Sequence, residues 1–325
     1  MQSEALARSN WLTYKIADMY YVKGIPSKEI AQELGISLST VSRFVNIAKN
    51  EGIVRLTLSE PYRSCIEYSE ILKDKYGLRD VVLVPFDGKK DGVNYEMDIR
   101  KAVALEGARY LQRVLTENDI LGISWGRTMS YVIHCLNPCQ KSNLSFVTLH
   151  GGLSAISEHF DVKNLVSRIA MAMGGKRYVL EDEAVLKSPQ ILSGLKVKKE
   201  NQALSEMYSK ITISISGVGT EYPELESPLL LHPSITNADI KELQRAGACG
   251  DIALHFFDFE GRECDSSLKQ RIFTIDYSKY KAIPCKIVVA AGESKAVTVR
   301  ALLRGNLADV IVLDKDLAKA VIDII

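Results

Sequence analysis

Residues 25–58 carry two short helical patterns separated by Gly35, and that spacing restricts the N-terminal part of the chain more than any other feature does. Ile30, Ala31 and Leu34 fall at i, i+1 and i+4, the stripe of a helix that buries one side. Ser27 stands where an N-cap belongs, although Ile30, three residues on, is not the Glu of a capping box. Gly35 suits the left-handed turn that ends such a helix. Ile36 then fills the core from the turn, Ser39 opens a second helix, and Val41, Phe44, Val45 and Ala48 form its buried side. Helix, glycine turn and helix in this register predict a helix-turn-helix. A preceding helix is expected over about Glu4–Val22, packing Trp11, Leu12, Ile16, Ala17, Met19 and Tyr20 against the pair. Alternation over Ile53–Leu58 predicts a wing strand.

The polar side of the second helix presents Ser39, Thr40, Ser42, Arg43 and Asn46. With Ser27 and Ser37 at the helix starts, these are the residues expected to meet double-stranded operator DNA, since the N-terminal part of such a helix enters the major groove. Arg43 has the fork that pairs with guanine. Residues 1–60 hold seven Lys or Arg against six Asp or Glu, so one module neutralises few phosphates. Paired modules on a homodimer or homotetramer, reading a roughly palindromic site, are therefore expected.

At 325 residues the chain has room for a second domain. Its net charge of +1 excludes a generally polybasic protein. No run of 18 apolar residues is present, and the first residues lack the basic and apolar regions of a signal peptide, so a cytoplasmic protein without a membrane span is expected. The six cysteines, at 65, 135, 139, 249, 264 and 285, form no Cys-x-x-Cys pair, and no His or Cys cluster completes a metal site around Cys135 and Cys139. The histidines at 134, 150, 159, 232 and 255 are scattered.

Three segments are expected: a winged reader over 1–60, a connecting amphipathic helix within 61–77, and an effector-binding and oligomerisation domain over 78–325. In the third, apolar runs at Asp80–Val84, Ile120–Ser124, Ser145–Leu149, Ile211–Ser216, Ile252–Phe257, Lys286–Ala290 and Val310–Leu313 alternate with helical patterns near 95–115, 127–136, 161–173, 196–208, 236–246, 294–304 and 315–324. That order predicts an α/β fold, a mostly parallel Rossmann-like sheet covered on both faces.

Ligands of such sheets sit beyond the carboxyl ends of the strands, and four loops there are rich in glycine. In Gly122–Thr128, the Gly126 turn and the following helix start can cradle an anion, with Ser124, Arg127 and Thr128 as side-chain donors. Gly151 and Gly152 follow His150, and Gly217 and Gly219 follow the fourth run. Gly292 leads to Lys295, a point charge suited to phosphate. Together they suggest a small phosphorylated or polyhydroxy ligand. Neither Gly-x-Gly-x-x-Gly nor a P-loop occurs, so no nucleotide cofactor is indicated. Asp251, at the start of its run, reads equally as a partner for sugar hydroxyls and as a loop carboxylate.

Several motifs in one order carry a family resemblance. They are Ile30–Ser37 with Thr40–Arg43, Gly122–Thr128, Gly151-Gly152, Gly217–Gly219, Gly250–Ile252 with Phe256–Asp258 and Gly261, Ala291–Ala296, and Leu303–Gly305 followed by Val310–Asp314. Over nearly its whole length the chain resembles the SorC/DeoR-like sugar-responsive bacterial regulators. The resemblance implies a winged reader joined to an effector domain similar to glucosamine-6-phosphate deaminase and ribose-5-phosphate isomerase. It also implies that Gly126, Arg127 and Thr128 hold a phosphate, that Lys295 assists, and that Gly151, Gly152 and Asp251 line the sugar. Two departures bear on the ligand. His150 stands where some phosphate-binding members carry arginine, and the acidic stretch Thr220–Glu226 also suits a neutral sugar or polyol. The expected function is regulation of a carbohydrate-utilisation operon by a sugar, polyol or sugar phosphate, without catalysis. The alternative is a sugar-phosphate isomerase or deaminase with a DNA-binding appendage. An acid–base pair for that chemistry is not apparent, because on one continuous strand Asp251 and His255 would lie about 13 Å apart.

Overall fold

The computed structural model describes residues 10–324 except 87, 89, 91, 140–142 and 224–226. The chain divides into two compact units, Met1–Glu60 and Pro61–Ile325.

In the first unit, α1 (Asn10–Ala17) runs into a π-helical turn (Asp18–Val22), followed by α2 (Ser27–Leu34) and α3 (Leu38–Asn50). Leu12, Ile16, Met19, Ile30, Val41 and Phe44 close one small core. Leu12, Ile16 and Met19 stand at i, i+4 and i+7, a single stripe. Trp11 and Tyr20 flank that stripe and are 56% and 38% exposed, so the expectation that they pack inward is corrected. The expected residues 4–9 of this first helix lie outside the described residues. Gly35 takes φ 62°, and its N–H returns to the carbonyls of Ala31 and Gln32, ending α2 as expected.

Two capping expectations change. Ser27 is the first residue of α2 and not its cap. Ser37, not Ser39, caps α3, its Oγ accepting the Thr40 N–H at 3.1 Å. The wing strand is also absent: 53–58 forms no ladder, and Ile53, Leu56 and Leu58 are exposed. Alternation alone makes no strand without a partner edge, and none is present among the described residues of this unit.

The second unit begins with α4 (Tyr62–Tyr76), β1 (Asp80–Val84), α5 (Tyr95–Val114), β2 (Ile120–Ile123), α6 (Arg127–His134), β3 (Ser145–Thr148), α7 (Val162–Met173) and β4 (Lys176–Tyr178). It continues with α8 (Pro189–Lys196), α9 (Lys199–Tyr208), β5 (Ile213–Ser216), β6 (Gly219–Thr220), α10 (Asn237–Arg245), β7 (Gly250–Ile252) and β8 (His255–Phe257). α11 (Tyr277–Lys281), β9 (Cys285–Ala290), α12 (Ala296–Arg304), β10 (Val310–Asp314) and α13 (Lys315–Asp323) complete it. Seven strands form a wholly parallel sheet in the order β1-β10-β9-β5-β2-β3-β4. Alternate strand residues feed two cores: Ile311, Leu313, Val288 and Ala290 enter one, and Val310, Val312, Ile287 and Val289 the other. A sheet buried on both faces needs such continuous apolar runs.

Two elements differ from expectation. The run Ile252–Phe257 is not one strand of the parallel sheet. β7 and β8 form an antiparallel hairpin that joins β6 in a separate three-stranded sheet. Its two-residue turn, Ala253-Leu254, has φ of 48° and 66°. Such a turn normally advertises itself by Asn or Gly; here burial holds it, at 2% and 1% exposure. The helical pattern 196–208 is split as well, because Lys198 is extended and separates α8 from α9. β4, with its polar Lys176-Arg177-Tyr178, gives no strand signal of its own.

Phe44→Ala removes the largest fully buried side chain of the first unit. The expected loss is about 3–5 kcal/mol of that unit's stability, seen as its separate early unfolding in chemical denaturation followed by Trp11 fluorescence.

Candidate functional site

Leu38, Ser39, Ser42, Arg43 and Asn46 are exposed on α3, and Val41, Phe44 and Ala48 turn inward. One side of the helix is thus free to enter a groove. Ser37 Oγ lies 2.8 Å from both Ser39 Oγ and Thr40 Oγ1. This hydroxyl cluster sits at the helix N-terminus, where the unpaired N–H groups and the dipole favour a phosphate. The Arg43 guanidinium lies 5.4 Å from the Phe44 ring centroid, a weak hold for an exposed side chain. Ser27, half-buried at the start of α2, lies off this helix.

In the second unit the order of the sheet sets the site. From β2 the chain proceeds outward to β3 and β4, and β5 returns to the other side of β2. Ligand crevices form at such a reversal, beyond the strand ends. A cavity of about 570 Å³ opens there, lined by Ser124 to Thr128 after β2, Gly217 to Thr220 after β5, Lys295 after β9, and Asp251 and Ala253 of the hairpin. That volume suits a small metabolite.

Gly126 caps α6 at φ 119° with no side-chain cap, so the first N–H groups of that helix are left for a ligand. Nothing lies within 4 Å of where its Cβ would be. Arg127, exposed, and Thr128, half-buried, stand beside them. Lys295 Nζ donates to Val218 O at 2.6 Å. Burial, and then the charge of Arg100, push the Lys295 ammonium down to about 8, with Arg127 adding to the effect. Arg100 from α5 is lowered in turn, by burial first and by Arg127 second. Three cations therefore line one cavity, an arrangement suited to an anion.

Asp251 adds an acidic group to the same lining. Asp251, 4% exposed, is paired in the ladder with Gly219. A Cβ at Gly219 would overlap the Asp251 carboxylate, so only glycine leaves that carboxylate room. Glu221, 2% exposed, follows Gly219 and Thr220 but is not part of the lining. Burial raises both carboxyls above the usual range, and repulsion from Asp251 raises Glu221 further.

Of the residues expected to bind effector, Ser124, Gly126, Arg127, Thr128, Gly219, Asp251 and Lys295 line this one cavity. Gly151 and Gly152 do not, which corrects that expectation. A Cβ at Gly151 would come within 2.6 Å of the Asp182 carbonyl, and one at Gly152 within 2.7 Å of Lys163 Cε. Their N–H groups are already used, by Phe273 O and Asp182 O. These glycines permit close backbone packing. Asp251 and His255 lie on the two strands of the hairpin, and His255 is taken up by Glu263 Oε1 at 2.6 Å and Ile275 O at 2.7 Å. Arg100 and Trp125, which also line the cavity, were not anticipated.

His150 is fully buried behind the β2 loop. Its Nδ1–H donates to Gly151 O at 2.7 Å, and Nε2 accepts from the Trp125 N–H and the Ser124 hydroxyl, each at 3.2 Å. That pattern uses the neutral ring, and burial pushes the imidazole down to about 4. His150 holds the Ser124–Gly126 loop in place and does not reach the cavity itself. Among the described residues no group of His, Cys, Asp or Glu is placed to hold a metal ion, and no helix is long and apolar enough to cross a membrane.

Comparison with known proteins follows the same division. A sugar-binding domain family model matches residues 60–323, and a winged helix-turn-helix DNA-binding model matches residues 23–55. The chain belongs to this sugar-binding family. Family relatives are similar over nearly the full length. The deoxyribonucleoside regulator of Bacillus subtilis (strain 168) is 27% identical over 312 residues, 96% of this chain and 97% of its own length. The erythritol catabolism regulatory protein EryD of Brucella abortus (strain 2308) is 26% identical over 317 residues, 96% of each chain. The crystal structure of the full-length sorbitol operon regulator SorC from Klebsiella pneumoniae superposes with a TM-score of 0.74 at 25% identity, covering 95% of this chain and 97% of that one. The resemblance to the SorC/DeoR-like regulators is thereby borne out.

Two outcomes test the site's construction. The depressed His150 means the unfolded chain binds its proton first, so stability is present above about pH 6.5 and is lost as pH falls towards 4. The contribution is at most about 3 kcal/mol, and His150→Gln is expected to flatten the stability profile across that window. Gly219→Ala is expected to displace Asp251 and weaken ligand binding about tenfold or more, with the fold retained by circular dichroism.

Proposed function

We propose that the chain is a DNA-binding transcriptional regulator of a carbohydrate-utilisation operon, controlled by a phosphorylated sugar or polyol in the cavity of its second unit. The observation that carries the ligand class is the convergence of Arg100, Arg127 and Lys295, beside the α6 N-terminus, on one cavity that Asp251 also lines. An anion balances the positive charge gathered there, and the Asp251 carboxyl meets hydroxyls. Gly126, Arg127, Thr128 and Lys295 take the phosphate in this reading, and Ser124, Gly219 and Asp251 frame the polyhydroxy part. Relatives named for sorbitol, erythritol and deoxyribonucleosides all concern polyhydroxy compounds. Arg43, Ser39, Ser42, Asn46, Thr40 and Ser37 form the DNA-reading surface, with Ser27 a flanking phosphate contact. Paired readers on a homodimer or homotetramer supply the affinity that one weakly charged module lacks. Catalysis is not part of this reading: His255, the histidine nearest Asp251 in the hairpin, is committed to Glu263 and Ile275. The regulator acts where its operator is, in the cytoplasm.

The test is fluorescence anisotropy on the protein's own upstream DNA across sugars, polyols and their phosphates. One phosphorylated compound is expected to change DNA affinity by about 5- to 150-fold, a coupling of roughly 1–3 kcal/mol. Arg127→Ala and Lys295→Ala are expected to abolish that change while sparing ligand-free DNA binding. Arg43→Ala is expected to weaken DNA binding by about 1–3 kcal/mol and relax one base position. DNA binding that no compound alters would remove the effector half of the reading.

A further inference from the structure

Asp314 ends β10 and is 1% exposed, and it does not line the cavity. Its two carboxylate oxygens hold two different segments. Oδ1 accepts the Leu317 N–H at 2.8 Å and caps α13. Oδ2 accepts the Gly292 N–H at 2.7 Å, reaching across to the loop that follows the neighbouring strand β9. Gly292 O in turn accepts the Lys295 N–H at 3.1 Å, closing the turn that carries Lys295. Lys295 lines the cavity, and its Nζ donates to Val218 O at 2.6 Å. A chain of directed bonds thus joins the start of α13 to the cavity.

The far side of α13 meets the connecting helix. Leu317, Ala318 and Val321 share one core with Leu72 of α4, and the two helices are in contact. α4 is the first helix after the reader unit, which ends at Glu60. A helix cap alone does not require Asp, because Ser or Asn also offers an oxygen to the helix N–H. Accepting from two segments at once does require it here. Asn would turn its NH2, a donor, towards one of the two N–H groups, and Ser has a single oxygen. A second link runs alongside, from Lys90 Nζ to Glu293 Oε1 at 2.5 Å and to Asp316 Oδ2 at 3.0 Å. The Lys90 side chain is 58% exposed, so water and salt weaken that link. The Asp314 carboxylate is shielded from such competition.

We propose that Asp314 is a positioning residue that couples the cavity to α4, bridging the Gly292–Lys295 turn and the start of α13. An anion drawn to Lys295 shifts that turn, and the Asp314 carboxylate carries the shift to the first turn of α13, on which α4 rests. This rests on the cavity being the effector site, and it adds the route by which occupancy changes DNA affinity. Coupling needs an element that both sites bias. α13 is placed to be that element, with its start bound to Asp314 and its apolar side packed on α4. Asp314 lies in neither the cavity lining nor the reader, so it contributes to the linkage and not to the contacts with either ligand.

The test uses the full-length chain, its own upstream DNA, and erythritol 4-phosphate and glucitol 6-phosphate as probes. Fluorescence anisotropy gives DNA affinity without probe and at saturating probe, so a change in probe affinity does not enter. One probe is expected to change wild-type DNA affinity about 5- to 150-fold. Asp314→Asn and Asp314→Ser keep an oxygen for the α13 cap and lose the bond to Gly292. Both are expected to retain ligand-free DNA binding and probe binding, and to shrink the change at saturation to within about twofold. A residue that only caps α13 is rescued by Asn and Ser, so variants with the full wild-type change overturn the proposal and leave the effector reading standing. Loss of probe binding in both variants makes Asp314 part of the pocket's scaffold alone and also overturns it. Hydrogen–deuterium exchange on the wild type needs no variant. The probe is expected to alter protection in α13 and α4 as well as in the Gly292–Lys295 turn, and a change confined to the turn overturns the route. A wild type whose DNA binding neither probe alters removes the polyol-phosphate reading of the cavity, and the route with it.

Discussion

The central strands of the parallel sheet, buried on both faces, leave almost no place for polar chemistry except at their ends. Each of β9 and β10 sends alternate residues into two separate cores, so a charged side chain within them would face hydrocarbon either way. Lys286 shows the exception, spanning 4% exposed to reach Asp309 at 2.7 Å near the amino end of its strand. The carboxyl ends are where loops, helix starts and glycines gather, and the reversal at β2 and β5 opens a gap between them. The cavity and its charged lining follow from that constraint. The hairpin of β7 and β8 is not part of the parallel sheet, and it supplies Asp251 from outside.

Electrostatics then sets the character of the cavity. The charges of Arg100 and Arg127 lower the Lys295 ammonium's hold on its proton, and burial raises the Asp251 carboxyl. In the proposed reading an effector moves DNA affinity only by the part of its binding that differs between two states of the protein. His150 has a supporting role, since a neutral, buried ring with both nitrogens engaged fixes the loop that carries Gly126.

Much of this was legible in the chain because the signals were local. Gly126-Arg127-Thr128 and Gly292 with Lys295 advertise strand-to-helix turns with donors in place, and the structure brings Gly126, Arg127, Thr128 and Lys295 to one cavity. Gly35 and the apolar spacing around it gave the reader. What escaped depended on partners distant in sequence. Arg100 lies in α5, which reads as an ordinary amphipathic helix until it packs on β9 and β10. Glu221 sits in an acidic stretch that looks solvated, and only pairing of its segment with β7 buries it. Gly151 and Gly152 look like a ligand loop, yet they serve a close approach to 182–184 that nothing nearby in the chain announces. The Ala253-Leu254 turn lacks any turn signal, so a hairpin was read as a strand. Ile53–Leu58 has a strand's pattern without a strand's partner.

The central claim is that occupancy of the cavity and occupancy of DNA are linked, and linkage is reciprocal. The direct measurement is calorimetric affinity for the bound polyol phosphate, with and without saturating operator DNA. The account predicts that DNA changes effector affinity by the same factor, and in the same direction, as effector changes DNA affinity. Equal effector affinity in the two titrations would contradict it, whatever else binds.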